Sequence, residues 1–274
     1  MPMAETTGRP RVLVPTGYGL NCEAETIYAV ERAGGCPVAM HISDWVHRGP
    51  SVLDDVAMVV FIGGFSFGDH IASGRALAHL LRARMGDALA RFVDEGGIVL
   101  GICNGFQTLV KMGLLPALGR TAGGPLATQQ VTLTANERLG YRDAWVRLRV
   151  DPASPCVFTR DLGDLVFSCP ARHGEGRLVF GEHATYEALS AAGQIPVRYV
   201  DADGHPTEHW PDNPNGSRGG AAGLCDATGR IFGLMPHPEA FAYPENHPHW
   251  DVGAGEEPIA ARLLGAGLTH ARSS

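Results

Sequence analysis

The apolar run Ile98-Val99-Leu100-Gly101-Ile102 leads directly into Cys103-Asn104-Gly105, after which Phe106, Leu109 and Val110 recur at helical spacing until Gly113. A short continuous apolar run followed by a period-3.6 pattern reads as a buried strand feeding a helix. Gly101-Ile102-Cys103-Asn104-Gly105 at the junction is the thiol form of the G-x-S-x-G elbow. So tight a turn forces its central residue into strained backbone conformation and lifts the side chain above the sheet edge. Glycines on either side leave room for the neighbouring strand and helix. The sulfur then sits at a helix N-terminus, where partial positive charge favours a thiolate. The Asn104 amide points into the same space as an oxyanion donor. These features make Cys103 the candidate nucleophile.

The same strand-then-helix alternation fills the first half of the chain. Residues 11–15, 37–42, 58–62 and 98–102 read as strands, and 22–33, 77–93 and 103–113 as helical, the second in one or two pieces. Asn21 is placed to cap the first helix, and Gly34-Gly35 stops it. Continuous apolar strands separated by helices predict a parallel sheet covered on both faces. The second half is more β-like. Residues 130–134, 144–150 and 195–200 alternate, and 222–225 and 230–235 flank a turn at Asp226-Ala227-Thr228-Gly229. Residues 201–220, rich in Pro, Gly, Asp and Asn, read as a surface loop, and 257–268 as a final helix. The expectation is an α/β fold of flavodoxin-like type, a single domain over residues 10–272, with a largely parallel central sheet and antiparallel additions in its C-terminal half.

Composition excludes several function classes. A net charge of -7 over 274 residues opposes nucleic-acid binding, which usually rests on a basic excess. No apolar run reaches the ~18 residues a membrane helix needs, and the polar stretch Met1–Arg11 lacks the apolar core of a secretory signal. The six cysteines, at 22, 36, 103, 156, 169 and 225, are too sparse for a disulfide scaffold and form no Cys-x-x-Cys pair, which fits a reduced, cytoplasmic setting. Cys22, after a glycine-containing turn, is the only rival to Cys103; the others read as packing residues.

A thiol nucleophile needs a base, normally remote in sequence. Of the 12 histidines, His237 alone, among the strands read here, combines a strand-end position with an acid two residues on, in Met235-Pro236-His237-Pro238-Glu239. An extended segment would point both side chains the same way, so Glu239 could accept the ring N–H and leave the other nitrogen facing the thiol. Gly63-Gly64 at the end of the 58–62 strand could bring backbone N–H groups close to a substrate carbonyl. His247-Pro248-His249 lacks the cysteine or carboxylate that would complete a known ligand pattern, so no metal is expected. Gly17-Tyr18-Gly19 lacks the third glycine of a dinucleotide fingerprint, and no P-loop occurs.

Together these residues resemble the class I (triad-type) glutamine amidotransferases, and within them the glutaminase subunits of phosphoribosylformylglycinamidine synthase. The resemblance rests on residues 17–23, Gly63 to Asp69, Gly101 to Gln107 with Gly113 to Pro116, Arg172 to Arg177, Asn213 to Ser217 and Gly233 to Glu239, in the family's order over most of the chain. One departure is Ile62, where many relatives carry proline. The resemblance implies a triad of Cys103, His237 and Glu239, an oxyanion hole of the Gly64 and Asn104 amides, and a substrate-holding role for Gln107. It marks the segment around His173 as characteristic, with substrate contact and docking to a partner both open. It further implies hydrolysis of L-glutamine, no cofactor in this chain, and two protein partners. One is an ATP- and Mg-dependent synthetase subunit that receives the ammonia, and the other is a small bridging subunit.

Two rival readings share these residues. Another cysteine hydrolase of the same sheet would place its base elsewhere and leave Gln107 incidental. A non-catalytic regulatory module would have no need of an intact Cys, His and Glu set.

Overall fold

Strand β1 (Arg11–Thr16) lies one strand in from the edge of a sheet, α1 (Glu23–Arg32) returns the chain to β2 (Cys36–His41) on one side, and after α2 (Ile42–Arg48) the chain crosses to β3 (Met58–Phe61) on the other. Helix α3 (Arg75–Asp94), β4 (Ile98–Ile102) and α4 (Asn104–Met112) follow. The structure is a computed structural model, and the residues described are 8–252 and 257–273. Beyond α4 come β5 (Val131–Thr134), β6 (Arg142–Val150), β7 (Val166–His173), β8 (Arg177–Phe180), α5 (His183–Ala191), β9 (Val197–Tyr199), β10 (Gly223–Cys225), β11 (Ile231–Leu234) and α6 (Ala260–Ser273).

The central sheet runs β10-β11-β4-β3-β1-β2. It is parallel throughout except for β10, which pairs antiparallel with β11 across the expected turn at Asp226–Gly229. Its inner strands β3, β4 and β11 are buried at every position, as continuous apolar runs require. Helix α1 packs with α6 and α3 with α4, so the sheet is sandwiched between two helical layers. The antiparallel additions form two small sheets, β5-β8 and β7-β6-β9. Among the described residues no helix is long and apolar enough to cross a membrane.

Several expectations are corrected. Cys22, not Asn21, stands at the N-cap of α1, with no side-chain cap bond. The region 77–93 is one continuous helix, and α6 starts at Ala260 and runs on to Ser273 rather than spanning 257–268; positions 253–256 before it, and part of the N-terminal stretch 1–11, lie outside the described residues. The loop 201–220 is not wholly a surface feature. Asn213, Asn215 and Ser217 are buried in it, where Asn213 Nδ2 donates to the Thr207 and Ser217 carbonyls and Asn215 Nδ2 to the Tyr199 hydroxyl. Polar side chains go inside when their hydrogen bonds are met there.

The topology fixes where a site forms. The order reverses between β1, which leads to β2, and β3, and in open α/β sheets the crevice beyond the carboxyl ends of the strands at such a switch is the binding position. Asn21 and Cys22 follow β1, Gly63 and Gly64 follow β3, Cys103 follows β4, and His237 follows β11.

Candidate active site

Cys103 occupies the turn between β4 and α4 at φ 50°, ψ -105°, a left-handed-side conformation that a side-chain-bearing residue adopts only when its surroundings impose it. Those surroundings are tight. A Cβ added at Gly105 would lie 2.0 Å from the Phe61 carbonyl oxygen, and one at Gly101 would lie 2.8 Å from the Gly105 carbonyl carbon. The Cys103 amide donates to the Leu234 carbonyl of β11 at 2.8 Å, tying the elbow to the strand that carries the histidine. The thiol points toward the Arg172 carbonyl, 3.6 Å away.

His237 is buried, and its Nδ1–H donates to Glu239 Oε1 at 2.6 Å. The two side chains meet for a different reason than alternation along a strand. Pro238–Ala240 is a single 3-10 turn with proline at its first position, and the turn folds Glu239 back against the ring. Nε2 of His237 is buried and has no hydrogen-bond partner among the described residues, so it is free to serve the thiol. Burial alone would depress the pKa of His237. The charge on Glu239, followed by that on Cys103 and by the closeness of the Cys103 and Cys22 thiols, outweighs burial and holds it well above 6.5. A protonated imidazole beside the nucleophile is the counter-ion a thiolate needs.

The space above the sulfur is a cavity of about 250 Å³ lined by Asn21, Cys22, Gly64, Cys103, Arg172 and His237, with Phe65 and Tyr141 at its side. Larger clefts exist, such as one of about 340 Å³ beside Arg91 and Phe92, but it holds no nucleophile and base together. Gly64 lines the cavity above Cys103 and bridges to Leu20 of the opposing turn. Asn104 is the first residue of α4, where an α-helix leaves N–H groups without intrahelical acceptors.

Gln107 and His173 lie behind the cavity rather than on its wall. Gln107 Nε2 donates to the Glu175 carbonyl at 2.7 Å, and its Oε1 accepts from Asn104 Nδ2 at 3.2 Å. Asn104 Nδ2 also reaches Asp69 Oδ1, Ser73 Oγ donates to Asp69 Oδ2, and the Ser73 amide donates to Glu175 Oε2. This network joins the elbow helix, the loop after β3 and the turn after β7. Burial first, and then the charge of Glu175, push the Asp69 carboxyl above its usual range. His173 sits against Asn136 Oδ1, and burial depresses its pKa to about 3, so it is neutral.

Sequence reasoning singled out Cys22 only as a rival nucleophile. The structure places its sulfur 4.0 Å from His237 Nδ1, on the cavity wall. Arg172 opens the 172–177 stretch on which the resemblance rests, whereas Tyr141, just ahead of β6, carries no local signal. His247 packs edge-on against Trp145, at 4.8 Å between ring centres, as a core aromatic would.

The family model described as the CobB/CobQ-like glutamine amidotransferase domain matches residues 9–263. The phosphoribosylformylglycinamidine synthase subunit PurQ of Methanococcus maripaludis is 40% identical over 244 residues, covering 89% of this chain and 86% of that protein. The subunit PurQ of Dehalococcoides mccartyi is 39% identical over 264 residues, covering 96% and 98%. Among solved structures, a chain of PurLQS from Thermotoga maritima superposes with a TM-score of 0.70 at 26% identity, covering 95% of this chain and 98% of that one.

Proposed function

The chain belongs to the glutamine amidotransferases, in their PurQ branch, and we propose from that premise how its residues do the work of the glutaminase subunit of phosphoribosylformylglycinamidine synthase. The Cys103 thiolate attacks the side-chain amide carbon of L-glutamine in the cavity. The Gly64 and Asn104 amides hold the tetrahedral oxyanion, a contribution of ~3–4 kcal/mol per donor in comparable acyl transfers. His237, oriented by Glu239, delivers its Nε2 proton to the departing ammonia. The same nitrogen then takes a proton from water, which cleaves the γ-glutamyl thioester and releases glutamate.

The observation that carries this reading is the meeting of Cys103 and His237 in one cavity from strands β4 and β11, with the ring held at 2.6 Å by a buried carboxylate. Gln107 acts on glutamine binding through the Glu175 carbonyl it holds, and His173 through the adjoining Arg172. The hydrolysis uses no cofactor in this chain. Ammonia passes to an ATP- and Mg-dependent synthetase subunit, where it converts formylglycinamide ribonucleotide to the amidine, and a small third subunit bridges the two, all in the cytoplasm. Neither nucleic acid nor membrane takes part.

A glutamine-like diazo ketone tests the assignment. Alkylation is expected at Cys103 and is expected to be blocked by glutamine; labelling at Cys22, or labelling indifferent to glutamine, would contradict it.

A further inference from the structure

The mechanism assigns Cys22 no bond-making or proton-transfer step, yet Cys22, His237 and Glu239 each place a donor atom within 4.8 Å of the others. The Cys22 sulfur is 4.0 Å from His237 Nδ1, and Nδ1 is 2.6 Å from Glu239 Oε1. The approach is possible because position 63 is glycine: a Cβ there would lie 3.1 Å from the Cys22 sulfur and 2.6 Å from the ring. A second observation points to a ligand. Glu239 is 2% exposed, and its Oε2 has no hydrogen-bond partner among the described residues. A buried carboxylate oxygen without a donor is costly unless something positive meets it.

We propose that Cys22, His237 Nδ1 and Glu239 form an inhibitory site for a thiophilic divalent cation of the Zn²⁺ class, deepening the glutaminase reading by adding a control on it. One thiolate, one imidazole and one carboxylate are the mixed donors that Zn²⁺ accepts in tetrahedral geometry, with a fourth position left for water. Donor separations in such a shell are about 3–4 Å, as bond lengths of ~2.0 Å to N and O and ~2.3 Å to S require. The present separations need to change by about an ångström or less to reach them. The charges balance, since one Zn²⁺ meets the Cys22 thiolate and the Glu239 carboxylate. Binding releases the Cys22 thiol proton and the Nδ1 proton. The proton left on the ring then sits on Nε2, the nitrogen that must accept one from water. A ring metallated at Nδ1 cannot act as that base, and glutamine hydrolysis stops.

The full chain is titrated with ZnCl₂ against a chromophoric chelator, and Co²⁺ is substituted to read the thiolate-to-metal absorption band. We expect one metal per chain, a Co²⁺ band that survives Cys103→Ser and disappears in Cys22→Ser, and affinity at least about tenfold weaker in Cys22→Ser. X-ray absorption at the zinc edge of the unmodified chain, which needs no variant, is expected to show a sulfur neighbour at ~2.3 Å. A band lost in Cys103→Ser and kept in Cys22→Ser, equal affinity in the parent chain and Cys22→Ser, or a sulfur-free shell would overturn the site. These readouts need no turnover, so a chain that binds zinc at Cys22 but fails to hydrolyse glutamine would refute the proposed activity and not the metal site.

Discussion

His237 and Glu239 are joined at 2.6 Å across a single 3-10 turn, with both side chains almost wholly buried. That contact decides the charge state of the base. Burial by itself would strip the proton from the ring, and the carboxylate prevents it.

Replacing Glu239 with Gln removes the carboxylate and leaves burial unopposed on that side, so the His237 pKa falls. Glutaminase turnover is expected to drop by ~10²-fold or more, the scale of a disabled general acid–base. The sign of the stability effect follows from the raised folded pKa. The protonated ring stabilises the native state fully below its ordinary value of 6.5, and that contribution is lost as pH climbs through the raised value. Urea midpoints measured from neutral into alkaline pH should therefore fall in the parent chain and change less in Glu239→Gln. Parallel curves would contradict the assignment.

The elbow predicts a steric outcome. Gly105→Ala places a methyl group 2.0 Å from the Phe61 carbonyl oxygen, a backbone atom with no freedom to retreat. The expected cost is at the upper end of the ~1–3 kcal/mol usual for overpacking, together with loss of activity as Cys103 shifts. Thermal denaturation and diazo-ketone labelling check both. A variant that melts like the parent and labels at the parent's rate would show that the elbow is looser than these contacts require.

The polar network behind the cavity predicts a division between binding and chemistry. Gln107→Met keeps the shape but leaves the Glu175 carbonyl and Asn104 Nδ2 each short of a partner. A stability loss of ~1–3 kcal/mol is expected from the unmet groups. KM for glutamine should rise more than kcat falls, because the residue acts on the pocket wall and not on the reacting atoms. Steady-state kinetics decide this; a fall in kcat at constant KM would place Gln107 in the chemical step.

What was legible in the residues was the framework that brings Cys103, His237 and Glu239 together, and the reasons are physical. Strands β1, β3 and β4 are buried apolar runs punctuated by glycine, and Cys103 sits in a turn where backbone contact with Phe61 dictates Gly105 and contact with Gly105 itself dictates Gly101. The pairing of His237 with Glu239 was read correctly from spacing but for the wrong local geometry, since Pro238 starts a turn instead of extending the strand. Strand β7 was missed because five consecutive positions from Phe167 to Ala171 are buried and Pro170 interrupts the run, so no alternation appears. Helix α5 escaped because Leu189 is its one buried residue, leaving almost no apolar stripe. Helix α2 begins at Ile42 directly after β2, with no glycine or proline to mark the change. The burial of Asn213, Asn215 and Ser217 depends on partners at Thr207, Tyr199 and Leu178, which local polarity cannot disclose.

The most direct test of the whole account is Cys103→Ala in the complex reconstituted with the synthetase and small subunits, assayed for amidine formation with glutamine and, separately, with ammonia. Glutamine-dependent synthesis is expected to fall by ~10³-fold or more, as when a nucleophile is removed from a triad, while ammonia-dependent synthesis stays at the parent rate. Glutamine-dependent synthesis at the parent rate would contradict the assignment of Cys103 as the nucleophile.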